Sequence, residues 1–185
     1  MSKRFTACFI VLYLLSIVSA NVVTASYAPL QLGFLIIPAG SFLIGATFIL
    51  RDLVQQAVGR RNTYVAIIAA LALSVISSYL LGDTLWIVFA SAVTFIVSET
   101  TDTEIYTRLK LPMARRVLYS GTAGGMVDSI LFVVIGLSPI GAGFLSWDLV
   151  GYAIAGQMLT KVFMQTVGAA IFAAATSKKN IRVSQ

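Results

Sequence analysis

Six apolar stretches of about 20 residues each, joined by short connections, constrain this chain more than any motif in it, because about 20 helical residues cross roughly 30 Å of hydrocarbon. They run approximately from Phe5 to Val23, Leu30 to Leu50, Tyr64 to Leu81, Thr84 to Leu109, Val117 to Leu137, and Leu149 to Thr176. The expectation is an all-α, polytopic membrane protein, a six-transmembrane-helix bundle in one domain over residues 1–185. Composition agrees: 58% of the residues are hydrophobic and 11% charged, against about 25% charged in an ordinary soluble domain.

The connections alternate in charge. Lys3 and Arg4 precede the first stretch; Arg51, Arg60 and Arg61 follow the second. Arg108, Lys110, Arg115 and Arg116 follow the fourth, and Lys178, Lys179 and Arg182 follow the sixth. The other three connections hold no lysine or arginine, only Asp83 and Asp148. Cytoplasmic loops accumulate Lys and Arg, so the pattern predicts an N-in/C-in topology. Trp86, Trp147, Tyr27 and Tyr79 fall at predicted outer ends, with Tyr64 and Tyr119 at inner ends, where amphipathic rings favour the headgroup level. The start of the chain, with Val18-Ser19-Ala20 after an apolar run, also has the form of a signal peptide. Removing it would put the two termini on opposite sides, so a retained first helix is the expectation. The longest polar stretch is the tail from Ser177, so activity is expected within the helices. Three plus three helices would lie in opposite orientations, the arrangement of inverted-repeat transporters.

Inside these stretches lie charges. Placing one at mid-bilayer costs about 2.5–3.5 kcal/mol on insertion scales, so such residues face a protein interior and mark a ligand or ion path. Glu99, Asp102 and Tyr106 stand three and four apart on one helical face near the inner end of the fourth stretch, while Glu104 points elsewhere. Asp128 lies about 16 Å along the fifth, near the midplane. It follows Gly121, Gly124 and Gly125, which permit close helix approach, and precedes Ser129 and Phe132. Gln157, Lys161 and Gln165 recur every four residues as a polar stripe on the sixth. A buried ammonium there neutralises Asp128 or Glu99, either as a purely structural ion pair or as part of a binding site. Arg51-Asp52, with Gln55 and Gln56 a turn later, reads either as a snorkelling boundary or as part of a gate. Pro38 and Gly40 offer a helix interruption; Tyr13, Ser16 and Ala20 form a weakly polar face.

The chain has no histidine and one cysteine, Cys8, which leaves no metal-type histidine helix, no disulfide framework and no serine or cysteine with a histidine base. It also lacks a phosphate loop. No cofactor or metal is implied. The net charge of +6 comes from dispersed pairs rather than one patch, so no nucleic-acid partner is expected. Energy for uphill movement must come from an ion gradient (a coupling proton or Na+), a separate partner, or trapping of the substrate.

Together Arg51-Asp52, Ser98-Glu99-x-x-Asp102, Asp128-Ser129-x-x-Phe132 and Lys161 resemble the queuosine precursor transporter family, also called the vitamin uptake transporter family, over about residues 20–176. The resemblance implies a bacterial inner-membrane importer of 7-deazaguanine precursors of the tRNA base queuosine: 7-cyano-7-deazaguanine (preQ0) and its aminomethyl relative. A guanine-like base presents adjacent N–H donors that one carboxylate accepts, and a carbonyl that wants a donor. Glu99 or Asp128 would read the donor edge, and Lys161 with Gln157 or Gln165 would serve acceptors. Phe132, Phe163 or Tyr106 would stack on the ring, while Asp102, Tyr106, Arg51 and Asp52 would gate or couple. The lipid bilayer is the other partner, and a homo-oligomer is compatible with this reading. Three alternatives stand beside the importer: a substrate-binding subunit of an ATP-driven vitamin or nucleobase system, an intramembrane enzyme using the carboxylates, and an assembly protein whose charges only pair.

Overall fold

The computed structural model describes the backbone of residues 3–183 and the surroundings of side chains 5–174, so the side chains of Lys3, Arg4, Thr176, Lys178, Lys179 and Arg182 lie outside the described residues. Among the described residues five α-helices carry the fold: α1 (Lys3–Ser26), α2 (Ser41–Leu80), α3 (Leu85–Arg108), α4 (Met113–Leu131) and α5 (Trp147–Val183). A two-stranded hairpin, β1 (Leu30–Leu32) and β2 (Leu35–Ile37), lies between α1 and α2. Among the described residues four segments, Phe5–Ser26, Ser41–Leu80, Leu85–Arg108 and Met113–Leu137, are long and apolar enough to cross a membrane. This is a multi-pass membrane protein.

The helix count corrects the expectation of six. The stretches expected at 30–50 and 64–81 belong to one 40-residue helix, α2, broken at Gly59, whose φ of 77° and ψ of 166° leave helical space. A straight helix of that length would measure about 60 Å. Instead Ser41 and Ser78, near its two ends, line the same cavity, so α2 folds back on itself as two arms. A tight break needs only one residue in a region open essentially to glycine alone. Arg51, Asp52, Arg60 and Arg61 made this segment look like a loop, but Arg51 and Asp52 are fully buried in the first arm.

A second correction concerns Leu30 to Ile37, which form the β-hairpin rather than the start of a helix. Gly33, with φ of 61°, supplies the left-handed turn position, and Pro38 lies between β2 and the start of α2 at Ser41. At the other end of α2, Gly82 (φ 89°) turns the chain. Thr84 then caps α3 by accepting from the Ile87 N–H at 3.3 Å. The expected fifth stretch is α4 continued by a π-helical turn from Phe132 to Leu137. Its wider winding ends at Ser138, whose N–H reaches the Val133 carbonyl at 2.9 Å.

Helix α1 sits against both arms of α2. Tyr13 and Ile17 pack with Val54 of the first arm and with Ala66 and Ala70 of the second. Asn21 donates to the Ser77 hydroxyl at 2.7 Å and to the Ser74 carbonyl at 3.1 Å. Val133, Val150 and Ala153 make a smaller core between the end of α4 and α5. Large apolar side chains such as Val65, Ile68, Leu85, Phe163 and Ile171 point outward, which suits a lipid-facing surface rather than water.

Candidate functional site

Among the described residues two ionic clusters occupy the interior. In the first, Arg51 on α2 meets three carboxylates. Its Nη1 lies 3.1 Å from Asp52, its Nε 3.3 Å from Glu99, and its Nη2 pairs with Asp102. Nη1 also donates to Gln55 at 2.9 Å and to Thr103 at 3.3 Å, and Gln55 in turn donates to Thr107 at 2.8 Å. The planar fork of arginine presents five N–H donors in a fixed geometry, which suits several carboxylate oxygens set around its edge. Arg51 is therefore no snorkelling boundary residue: it is fully buried and ties α2 to α3.

In the second cluster, Lys161 on α5 spends its three N–H bonds on Asp128 at 2.5 Å, Ser129 at 3.0 Å and Gln157 at 3.2 Å. The Ser98 hydroxyl of α3 donates to the other Asp128 oxygen at 3.4 Å. Gln165 donates to the Gly45 carbonyl at 2.9 Å. The glycines of α4 open the space these groups fill. A Cβ at Gly124 would stand 2.8 Å from Asp102, one at Gly125 would stand 3.2 Å from Lys161, and one at Gly121 would strike Gln165.

Between α1, both arms of α2, α3 and the end of α4 lies a cavity of about 250 Å³, near the lower bound of small-molecule sites. Ile87, Ser91, Thr94 and Glu99 of α3 line it successively, a depth of about 18 Å along the helix. Pro29, Asp83 and Phe144 stand near one end, Glu99 and Asp128 near the other, and Gln157, Phe48 and Phe132 complete the walls there. The buried Gln157 Nε2 has no hydrogen-bond partner.

The expected site residues therefore divide. Glu99, Asp128, Gln157 and Phe132 face the cavity; Lys161 and Gln165 stand behind its wall and orient what faces it. Arg51, Asp52 and Asp102 form the ionic cluster at its floor. Phe163 is 60% exposed on the outer surface and cannot stack on anything in the cavity. Tyr106 is buried elsewhere: the Arg116 guanidinium covers its ring at 3.8 Å, and both line a second cavity with Gln55, Gln56, Gly59, Arg60 and Thr107. The Arg51 cluster lies between the two cavities, with Glu99 on one and its partner Gln55 on the other.

Glu104 stands apart, as its helical phase implied. It accepts from Tyr64 at 2.6 Å and from Arg60 at 2.6 Å, clasping the break in α2 to α3. Phe48 and Asn21 line the cavity without any sequence signal that would single them out. Phe48 is one apolar residue among many, and Asn21 sits at the end of an expected span where a polar residue passes for a boundary. Asp83, which read as a loop residue, pairs with Ser78 in the cavity wall.

No curated protein and no solved structure matches the chain. A family model described as "Putative vitamin uptake transporter" matches residues 38–175, which hold the Arg51 cluster, the cavity carboxylates and Lys161. That match spans most of the chain, and the interior it covers is a polar site built between membrane helices. The protein accordingly belongs to the vitamin uptake transporter family, also known as the queuosine precursor transporter family, and is a transporter rather than an enzyme.

Proposed function

We propose that the protein imports a flat, guanine-like base, 7-cyano-7-deazaguanine or its aminomethyl relative, across the bacterial inner membrane by alternating access, for salvage into tRNA queuosine. The observation that carries this reading is the polar composition of the cavity's deep end: two carboxylates beside one unpartnered amide donor, Gln157 Nε2, with Phe48 and Phe132 among the aromatic rings in the wall. Asp128, its charge balanced by Lys161, accepts from the adjacent N–H groups of the base. Gln157 donates to the carbonyl, and Phe132 or Phe48 packs on the ring face. A base lacking the exocyclic amino group would leave a buried acceptor unpaired, a penalty of about 1–3 kcal/mol.

Each arm of α2 is taken to cross the bilayer once, which with the other four helices gives six crossings. The Arg60–Glu104 pair holds the tip of α2 beside the end of α3, so the basic residues around both gather at one end of the bundle. By the excess of Lys and Arg, that end is cytoplasmic, and the large cavity faces outward. The Arg51 cluster is then the closed inner gate, and the second cavity its cytoplasmic vestibule.

Proteoliposomes containing only this protein test the reading. Saturable uptake of labelled 7-cyano-7-deazaguanine, competed by guanine-like bases and not by adenine, is the expected result. Uptake that appears only when an ATP-hydrolysing partner is added would instead make the chain a binding subunit.

A further inference from the structure

The Arg51 cluster does not balance in charge. One guanidinium faces Asp52, Glu99 and Asp102, all of them essentially inaccessible to solvent. Fully ionised carboxylates would leave two negative charges uncompensated in a low-dielectric interior, where an unpaired ion costs several kcal/mol. The remaining charged and titratable neighbours do not supply the deficit. Lys161 of α5 is committed to Asp128 of α4, Arg116 of α4 is bound to the Tyr106 carbonyl and ring of α3, and Tyr13 of α1, a phenol, has no positive form to offer. A metal cation is not the remedy either: the carboxylates are spread around the edge of a planar guanidinium, and among the described residues no group of three acidic, histidine or cysteine side chains converges as metal ligands do. A proton held among the three carboxylates would offset part of this deficit of two charges.

Two features give that proton a route. Glu99 touches Arg51 and also lines the large cavity. The fully buried Tyr13 hydroxyl stands beside it and closes no hydrogen bond of good geometry, so a donor or acceptor is at hand for whichever form Glu99 takes. On the other side, Asp52 stands one helical turn before Gln56, which lines the second cavity with Tyr106 and Arg116. Arg51 Nε holds the first carboxylate and Nη1 the second.

We propose that the Arg51 cluster couples uptake to the inward movement of protons, which load onto Glu99 from the large cavity and leave past Asp52 into the second. This rests on the importer reading above and adds its driving ion. A hydronium ion in the large cavity gives up its proton, its O–H bond breaking to leave water as a new O–H bond forms at Glu99; Glu99 then releases its hold on Arg51 Nε, while Asp102 and Asp52 keep the guanidinium. Protonated Glu99 becomes a hydrogen-bond donor into the cavity, where a base carbonyl is an acceptor, so proton and substrate bind together rather than compete. The same O–H bond breaks when the cluster opens to the other side, and no electrons are transferred.

The test uses proteoliposomes with a pH dye inside and the membrane potential clamped. Adding 7-cyano-7-deazaguanine should acidify the lumen, and a tenfold inward proton gradient should speed uptake several-fold. Glu99→Gln and Asp52→Asn should each abolish the acidification and bring the gradient's effect to about one-fold. Labelled-substrate counterflow in the unmodified protein, at equal pH on both sides, reports substrate recognition separately. Counterflow without proton movement overturns the coupling and leaves the importer standing, as does acceleration by a sodium gradient alone. Absence of counterflow takes both down. Should neither variant elute as a folded species, proton movement by the unmodified protein decides the matter.

Discussion

Lys161 carries one of the few charges in the chain that were legible as buried from sequence, and its energetics follow from where it sits. Removing it as Lys161→Met leaves Asp128 charged and unpaired, which costs about 3 kcal/mol or more. The thermal midpoint in detergent should fall accordingly, and adding Asp128→Leu should restore most of it. Transport should stay absent in both variants, the outcome that separates a working site from ions that only hold helices together. Residues that break a strong local rule, such as an aspartate or lysine amid leucines, announce themselves. Residues whose role depends on where a helix turns do not: Phe163 was as plausible a stacking ring as Phe132, and the rotation of α5 put it on the outer surface. Arg51 was ambiguous for a different reason, since arginine at a span's edge and arginine in its interior read alike until the next helix is placed.

At the scale of elements, α2 is where composition misled. Its four charges within a dozen residues, Arg51, Asp52, Arg60 and Arg61, had the look of a cytoplasmic connection, yet the first two are buried in an ionic cluster and only the second two lie near the turn. A helix that doubles back at one glycine leaves almost no loop signature. Gly59→Ala should therefore weaken the element sharply: its backbone lies where a Cβ costs about 1–3 kcal/mol, although nothing crowds the site. A drop in thermal midpoint with substrate recognition retained in the surviving fraction is expected; an unchanged midpoint would mean that the break moves to a neighbouring residue. The hairpin at 30–37 was lost to a similar limit, because a short continuous apolar run fits a strand and the edge of a helix equally well.

For the whole molecule, the all-helical class, the family and the polar interior were readable, and the fold-back that joins two expected spans was not. The crossing count is open to direct measurement. In a Cys8→Ser background, cysteines at Gly33 and Ile140 should react with an impermeant thiol reagent only from outside the cell, and a cysteine at Arg61 only from inside. Labelling of all three from one side would mean that the arms of α2 do not cross. The pairing of Arg51 with Glu99 and Asp102, and of Asp128 with Lys161, also bears on how such a chain enters the membrane during synthesis. Lipid gives helices little hydrophobic reason to associate, and α3 and α4 each bring carboxylates that insert poorly alone. Arg51 leaves the ribosome before Glu99 and Asp102, and Asp128 before Lys161, so each later charge arrives to find a counter-ion already in the bilayer. The order of charges along the chain is thus an assembly programme, in which α2 helps α3, and α4 helps α5, to stay inserted.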